Sequence, residues 1–490
     1  MIYKGMLISS VFISLCLGGC KDINWKSGNF HLRMEREKQP SVTCIPPAAT
    51  PNDSDPFISH LVVKNNARYK PSAKPLQRLN GIVPAAVKEA NDKGEMSSDK
   101  ELSISIAMRP NREIELDRLL KELYNPKNPK YHKFITPDQF VAKFGPTEKQ
   151  VEQVKNLLKQ NGFKSVSADD NRLLVHAKGN VAAVNQVFHT EVHSFKDKAG
   201  KAFYAPSFEL QVPRGFAIRG VHGLDNSMTW KSQARRLNVR PFLGPEGGFT
   251  PVEINAAYSI PKGLTGAGQT IALFELDGYD PADILAYEKA YGISPVPLRN
   301  ILVDGATGKP GNAALEVVLD IELITAVAPG AKELLIYEGG NTSDGVLSTY
   351  NRIANDNLAK IVSVSWGSSE ISAPSSFIQS ESIIFKQMAA QGQAVYVASG
   401  DNGAYDDQVN LGVNDPSSQP YVVAVGGTQL TTKKDGSYDS ETTWNTDGGG
   451  GGGISEVWTI PSYQIGVAND RNQVSPKMRN VPDVALNADP

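Results

Sequence analysis

Glu316 and Asp320 stand four residues apart in the stretch LEVVLD, inside a run, AALEVVLDIELITAVAPGA, that is otherwise almost wholly apolar. On a helix, positions i and i+4 share one face, with Cβ atoms about 5–6 Å apart. Two carboxylates held that close repel, and burial among Ala, Leu, Val and Ile raises the pKa of at least one of them. Packing does not need such a pair, whereas proton transfer does. A carboxylate with an ordinary pKa near 4 serves as general base only where the pH is not far above it, so the expected chemistry belongs to the acid range. The alternative is a solvated helix face carrying Glu316, Asp320 and Glu322. Glu322, about 240° round the helix from Glu316, belongs to another side.

Imidazole is missing from this part of the chain. The seven histidines, His31, His60, His132, His176, His189, His193 and His222, all precede residue 249. A Ser-His-Asp or Cys-His arrangement within 249–490 is therefore excluded, as is HExxH zinc chemistry, and carboxylates must do any acid–base work there. Asp401, in VASGDNG, follows an apolar strand and enters a glycine turn. It either caps a helix or makes an Asx turn, or, kept protonated by its surroundings, donates a hydrogen bond to an oxyanion. The glycine run 448–453 lacks the Gly-Lys-Ser/Thr of a phosphate loop and reads as close backbone approach or simple flexibility.

The elements that must position these groups follow from the hydrophobic pattern. From Phe249 onward, QTIALFEL, KELLIYEGG, KIVSVSWG, QAVYVASGD and YVVAVGG are short branched or aromatic runs, with helices such as SIIFKQMAAQG between several of them. Strands apolar on both faces and alternating with helices predict a parallel sheet covered on each side, with ligands at the carboxyl ends of its strands. SWG (365–367) and SGDNG (399–403) occupy such ends. Upstream, ELSISIAMRP and NRLLVHAKG read as strands. REIELDRLLKELYN and TEKQVEQVKNLLKQNGF read as amphipathic helices, and NVAAVNQVFHT as a short one, which predicts a small α+β sandwich. Residues 226–248 lose periodicity, carry arginines and turn residues, and read as an exposed linker open to proteolysis.

With 490 residues and 40% apolar content the chain has room for two or three domains. Lys+Arg 50 against Asp+Glu 52 gives no support to a nucleic-acid partner. Cys16, Cys20 and Cys44 make neither a disulfide framework nor a zinc cage. The N-terminus, MIYKGMLISSVFISLCLGGC, has an early lysine, a short apolar stretch and small residues, the pattern of an export signal. Leu17-Gly18-Gly19-Cys20 resembles a bacterial lipobox, in which Cys20 is lipidated; a plain small-residue cleavage site is the alternative. Residues 20–60, polar and Pro-rich, read as a tether.

Taken in order, PKYHKFITPDQFVAKFGPT, APSFELQVP, GVHGLDN, FTPVEINAAYSIP, GAGQTIALFEL, ALEVVLDIELITAVAPGAK, SVSWG, ASGDNG, YVVAVGGT, GGGISEVW and VPDVALNADP resemble the sedolisins, or serine-carboxyl peptidases, with a kumamolisin-type activation propeptide. The resemblance covers roughly residues 100–490. It implies a subtilisin-like α/β parallel sheet preceded by a ferredoxin-like α+β propeptide domain. The boundaries it suggests are 1–19 signal peptide, 20–60 tether, 61–225 propeptide, 226–248 processing linker and 249–490 peptidase domain. By motif position, Glu316 would be the general base and acid, Asp320 would orient it, and Asp401 would complete the oxyanion hole. Glu275 in ALFEL and Trp366 in SWG would extend the hydrogen-bond network, and Asn414 and Asp415 would border the specificity pocket.

One departure stands out. The family's nucleophile lies in a Gly-Thr-Ser segment beyond the DVA…ADP block, and the chain ends at Pro490 inside that block. Ser399 and Ser455 lack the Gly-Thr-Ser context. The expectation is a C-terminally truncated domain without nucleophile or calcium site, the family's calcium loop lying beyond residue 490. The resemblance implies an exported, lipid-anchored or secreted, acid-acting endopeptidase precursor, with polypeptide as substrate and its own propeptide as inhibitor until acid weakens the carboxylate contacts holding it. The alternatives are a non-catalytic peptide-binding surface lipoprotein and an unstable remnant.

Overall fold

The strand Thr270–Glu275, TIALFE, is buried almost throughout, and its alternate residues serve two different cores. Ile271 and Leu273 pack with Leu334, Ile336 and the helix Ala314–Val327, whereas Ala272 and Phe274 pack with Leu335, Val362 and the helices Ser343–Asp356 and Ser375–Ala390. This two-sided burial is what a parallel sheet between helical layers requires. The structure, a computed structural model, describes residues 75–232, 248–446 and 448–489.

The sheet has eight strands. Its order runs Leu298–Leu302, Glu333–Glu338, Thr270–Glu275, Ile361–Val364, Ala394–Ala398, then Val423–Thr432, all parallel. Val423–Thr432 pairs on its far side with Val484–Asn487, in parallel, and with Tyr438–Thr443, antiparallel. The residues at or just beyond the carboxyl ends of these parallel strands, Glu275, Ser365 and Ser399–Asp401, therefore share one edge of the sheet. The subtilisin-like α/β expectation holds.

The upstream domain is a four-stranded antiparallel sheet in the order Lys164–Ala168, Leu174–Asn180, Glu101–Met108, Ile218–His222. The helices Glu148–Gln160 and Val181–Phe188 cover one face, which gives the ferredoxin-like arrangement expected. One helix escaped the sequence reading: Pro137–Phe144. Its start was written in Thr136-Pro137-Asp138-Gln139, where Thr136 and Gln139 cap each other reciprocally and Pro137 occupies the first turn.

The other face of this sheet lies against the peptidase-type domain. Leu116, Leu120 and Leu123 of the helix Glu113–Leu123, with Phe140 and Phe144, join Phe385, Met388 and Ala389 in one apolar core. A polar seam accompanies it: Asn171 donates to Asn351 and Gln387, Asn351 donates to Asp169, Lys386 pairs with Asp117 at 2.7 Å, and His222 Nε2 meets Ser380 Oγ at 3.1 Å. Among the described residues no helix is long and apolar enough to cross a membrane. The signal peptide, Cys20, the tether and linker residues 233–247 lie outside the described residues.

The start of the linker differs from the exposed segment expected. Trp230 is 2% exposed, and Lys231–Ser232 forms a strand antiparallel to Trp366–Ser369. The reason is long-range: an unpaired strand edge beside an apolar hollow recruits a segment whose local sequence has no periodicity of its own.

Candidate active site

The helix Ala314–Val327 carries Glu316 and Asp320 on the face turned toward the sheet edge, and both are buried, at 0% and 1% exposure. Glu322 is buried too, so the solvated-face alternative fails for all three. Burial pushes the Glu322 carboxyl up to about 8, with the Asp283 charge adding to it. Its surroundings on the helix's other side contain Asp283 and Tyr287, not the Glu316–Asp320 pair.

Asp320 accepts from Ser365 Oγ, 2.8 Å from Oδ1 and 2.7 Å from Oδ2. It also shares a hydrogen bond with Glu275, whose Oε2 accepts from the Trp366 indole N–H at 2.9 Å. Glu275 is the last residue of its strand and fully buried. Burial raises its pKa well above the carboxylate range, and the charges of Asp320 and then Glu316 raise it further against the Trp366 hydrogen bond. Burial likewise pushes Asp320 up to about 7, with the Ser365 and Glu275 hydrogen bonds opposing. Like charges this close cannot both ionise, so Glu275 keeps its proton and donates it to Asp320. The result is a buried, proton-holding carboxyl pair whose Asp320 shares the helix face of Glu316.

Glu316 itself accepts a hydrogen bond at 2.5 Å from Ser232 Oγ, the hydroxyl that the linker strand carries in across the site. Ser365 and Ser232 hydrogen-bond the candidate carboxyls and were not among the site residues expected from the sequence. Ser365 had a signal, since SWG was already singled out and its first residue follows the strand directly. Ser232 had none, because its place depends on pairing across more than a hundred residues.

Asp401 is 8% exposed and lies on the same sheet edge, in the loop after Ala394–Ala398. It caps no helix, since residues 401–412 make turns and bridges. Its carbonyl accepts from Gly449 N–H at 3.0 Å, and Gly400 O accepts from Gly451 N–H at 2.7 Å. The glycine run therefore provides close backbone approach: a Cβ on Gly451 would sit 2.0 Å from Ser399 O. Gly451→Ala is expected to force this loop apart and destabilise the chain by about 1–3 kcal/mol. A thermal-melting shift of several degrees checks it, and an unchanged melting point would contradict it.

Ser399 Oγ donates to Gly451 O at 2.8 Å, and buried Ser455 Oγ donates to Glu370 Oε1 at 2.7 Å, so both hydroxyls are committed away from Glu316. Asn414 packs its side-chain amide against Gly367, where a Cβ would sit 1.9 Å from Asn414 Oδ1, and donates to Asp406. Asp415, 1% exposed, is paired with Glu381 and Gln419 in the interior. Burial pushes Asp415 up to about 7 and Glu381 well above the carboxylate range. Among the described residues no group of three or more His, Cys, Asp or Glu side chains is placed to hold a metal ion.

The fold and the buried carboxyl network define a subtilase-type domain behind an activation domain. Residues 88–227 match the Pro-kumamolisin activation domain, and residues 305–489 match the Subtilase family. The chain is 33% identical to kumamolisin of Bacillus sp. (strain MN-32) over 435 residues, covering 84% of this chain and 78% of that protein. It is 32% identical to sedolisin of Pseudomonas sp. (strain 101) over 430 residues, covering 80% of this chain and 71% of that protein. A solved structure of Pseudomonas sedolisin, a serine-carboxyl proteinase, aligns with 29% identity and TM-score 0.46 over 49% of this chain and 70% of that chain. The chain belongs to the sedolisin family of serine-carboxyl peptidases. It carries that family's activation propeptide, and its expected substrate class is polypeptide.

Proposed function

We propose that the chain is the precursor of an exported, acid-acting serine-carboxyl endopeptidase in which Glu316 is the general base and acid. The observation that carries this reading is the hydroxyl of Ser232 donating to Glu316 Oε2 at 2.5 Å, since accepting a serine proton is the first task of such a base. The family's nucleophile belongs to a Gly-Thr-Ser segment, and none occurs in the 490 residues. With that serine supplied, Glu316 takes its proton as Oγ attacks the scissile carbonyl, then returns the proton to the departing amine. Asp320, neutral below about pH 7, faces the same helix side and holds Glu316's charge in check while Glu275 and Ser365 hold Asp320 in place. Asp401, on the same sheet edge, completes the oxyanion site.

Export rests on the leader and on lipidation at Cys20. Casein digestion near pH 4 tests this reading. The polypeptide of these 490 residues is expected to give none, and the form extended through a Gly-Thr-Ser segment is expected to cut its own linker and then casein. An extended form that folds but never processes itself would overturn the peptidase reading.

A further inference from the structure

The helix Ala314–Val327 begins without a side-chain cap from its own sequence, since the residue before it is Ala313. The missing partner comes from the sheet. Two residues past Glu275, the Asp277 carboxylate turns onto the loop that leads into the helix. Its Oδ1 accepts from the N–H of Gly278 and of Gly311, each at 2.8 Å, and its Oδ2 accepts from Ala313 N–H at 2.7 Å. Ala313 O in turn accepts from Glu316 N–H at 2.9 Å. Two hydrogen bonds in series therefore join Asp277 to the backbone of Glu316. The same strand exit grips the helix again further on, where Glu275 shares a hydrogen bond with Asp320. Ala313 and Asp320 bracket Glu316, so the short segment Glu275–Asp277 holds the helix on both sides of it. The contact is close: a Cβ on Gly311 would sit 2.7 Å from Asp277 Oδ1, and one on Gly278 would sit 2.5 Å from the Gly308 carbonyl carbon.

We propose that Asp277 is a positioning residue for the general base: by holding the start of the helix it fixes the place from which Glu316 meets the attacking hydroxyl. This rests on the peptidase reading for its purpose, although the anchorage itself needs no turnover. The first N–H groups of a helix have no partner within it, and a start left unpaired frays. Hydrogen bonds to a carboxylate are about twice as strong as neutral ones, so three of them on one side chain make a firm anchor. A general base must stand within hydrogen-bond reach of the proton it takes, and a misplacement of about 1 Å costs on the order of 10²-fold in rate. Glu338, buried beside this turn with neither carboxyl oxygen hydrogen-bonded, leaves the anchor undisturbed in acid. Burial, and then the charge of Asp277, push it up to about 7, so below that pH it is neutral.

The test uses two variants that disturb the same contact from opposite sides. Asp277→Asn keeps the shape but loses the charge and one acceptor oxygen, whereas Gly311→Ala keeps the charge and pushes the carboxylate aside. Both are made in the form extended through a Gly-Thr-Ser segment, and cleavage of a small peptide is measured after the linker is cut. Each is assayed at acid pH and well below its own melting point, so loss of fold does not enter. Both are expected to lower kcat by about 10–100-fold and to leave KM within about twofold of the parent. Unchanged kcat, a rise in KM that accounts for the loss, or a loss confined to one variant would overturn the proposal. A second measurement needs no catalysis: amide hydrogen exchange in the 490-residue chain, read at Ala313 and Glu316. It should quicken at least tenfold at both positions in either variant, while the strand Thr270–Glu275 keeps its parent rates. Unchanged exchange at Glu316 also overturns the proposal. An extended parent that folds but cleaves no peptide refutes the peptidase reading, and the exchange result then decides the anchorage by itself.

Discussion

Glu316→Gln, made in the form extended through a Gly-Thr-Ser segment, is expected to abolish self-processing while the domain still folds. Gln has the size of Glu and its Oε1 still accepts the Ser232 hydroxyl bond, so the packing of a fully buried position is kept. What disappears is the site that takes and returns a proton. Loss of a positioned acid–base group lowers rates by about 10²–10⁴-fold, which turns minutes of maturation into hours to weeks. Gel analysis of the precursor at acid pH reads the effect directly. Processing at the parent rate would mean that another group carries the proton.

The second large effect concerns release of the propeptide. His222 ends the strand that faces the helix Ser375–Ala390, with Ser380 Oγ at 3.1 Å and Phe377 edge-on at 5.8 Å. Burial pushes its pKa from 6.5 down to about 3, so the docked form refuses a proton that the released form accepts. The sign follows: this contact supports docking fully above about pH 6.5 and loses its support as pH falls toward 3. The whole swing is of order 4–5 kcal/mol.

The groups around it act otherwise. His176 sits two strands over, on the far side of Ser105, on the same sheet face. Burial pulls its pKa down, but Asp169, with Asp304 and Asp344, outweighs that and holds it above the ordinary value, so its charge favours docking in acid. Asp344, beside Gly223, is raised by burial and also tolerates acid while docked. Lys386 is bound to Asp117, and Glu381 turns inward to Asp415. Among these shifted groups His222 is the one whose shift makes acid oppose docking. His222→Asn is expected to leave docking at pH 7 near the parent level and to move the acid release midpoint down by at least one pH unit, read by size-exclusion chromatography of linker-cut protein. An unmoved midpoint would assign release to the carboxylate contacts instead.

The chemistry of the site was legible in the sequence because it is local. Glu316 and Asp320 share one helix turn, Glu275 ends a strand and Asp401 lies just beyond one, and the apolar run of each strand is plain. The ferredoxin-like domain was legible for the same reason, apart from the short helix Pro137–Phe144, whose capping box was overlooked. What sequence could not yield depends on distant partners. Ser232 reaches Glu316 only because Lys231–Ser232 borrows the edge of Trp366–Ser369. Trp230 read as an exposed linker residue until Asn341 and Phe377 gave it a place. His222 looked like any strand histidine, and its significance lies in the helix of the other domain that buries it.

In the proposed mechanism buried carboxyls handle the proton in place of an imidazole. The pH–rate profile for cleavage of a small peptide by the extended form, after its linker is cut, tests this most directly. The claim predicts an acid-range maximum with a limb that falls at or below about pH 7, as Asp320 loses its proton beside Glu316. A rate that instead climbs through neutrality and levels off above pH 7, as an imidazole base would give, would contradict it.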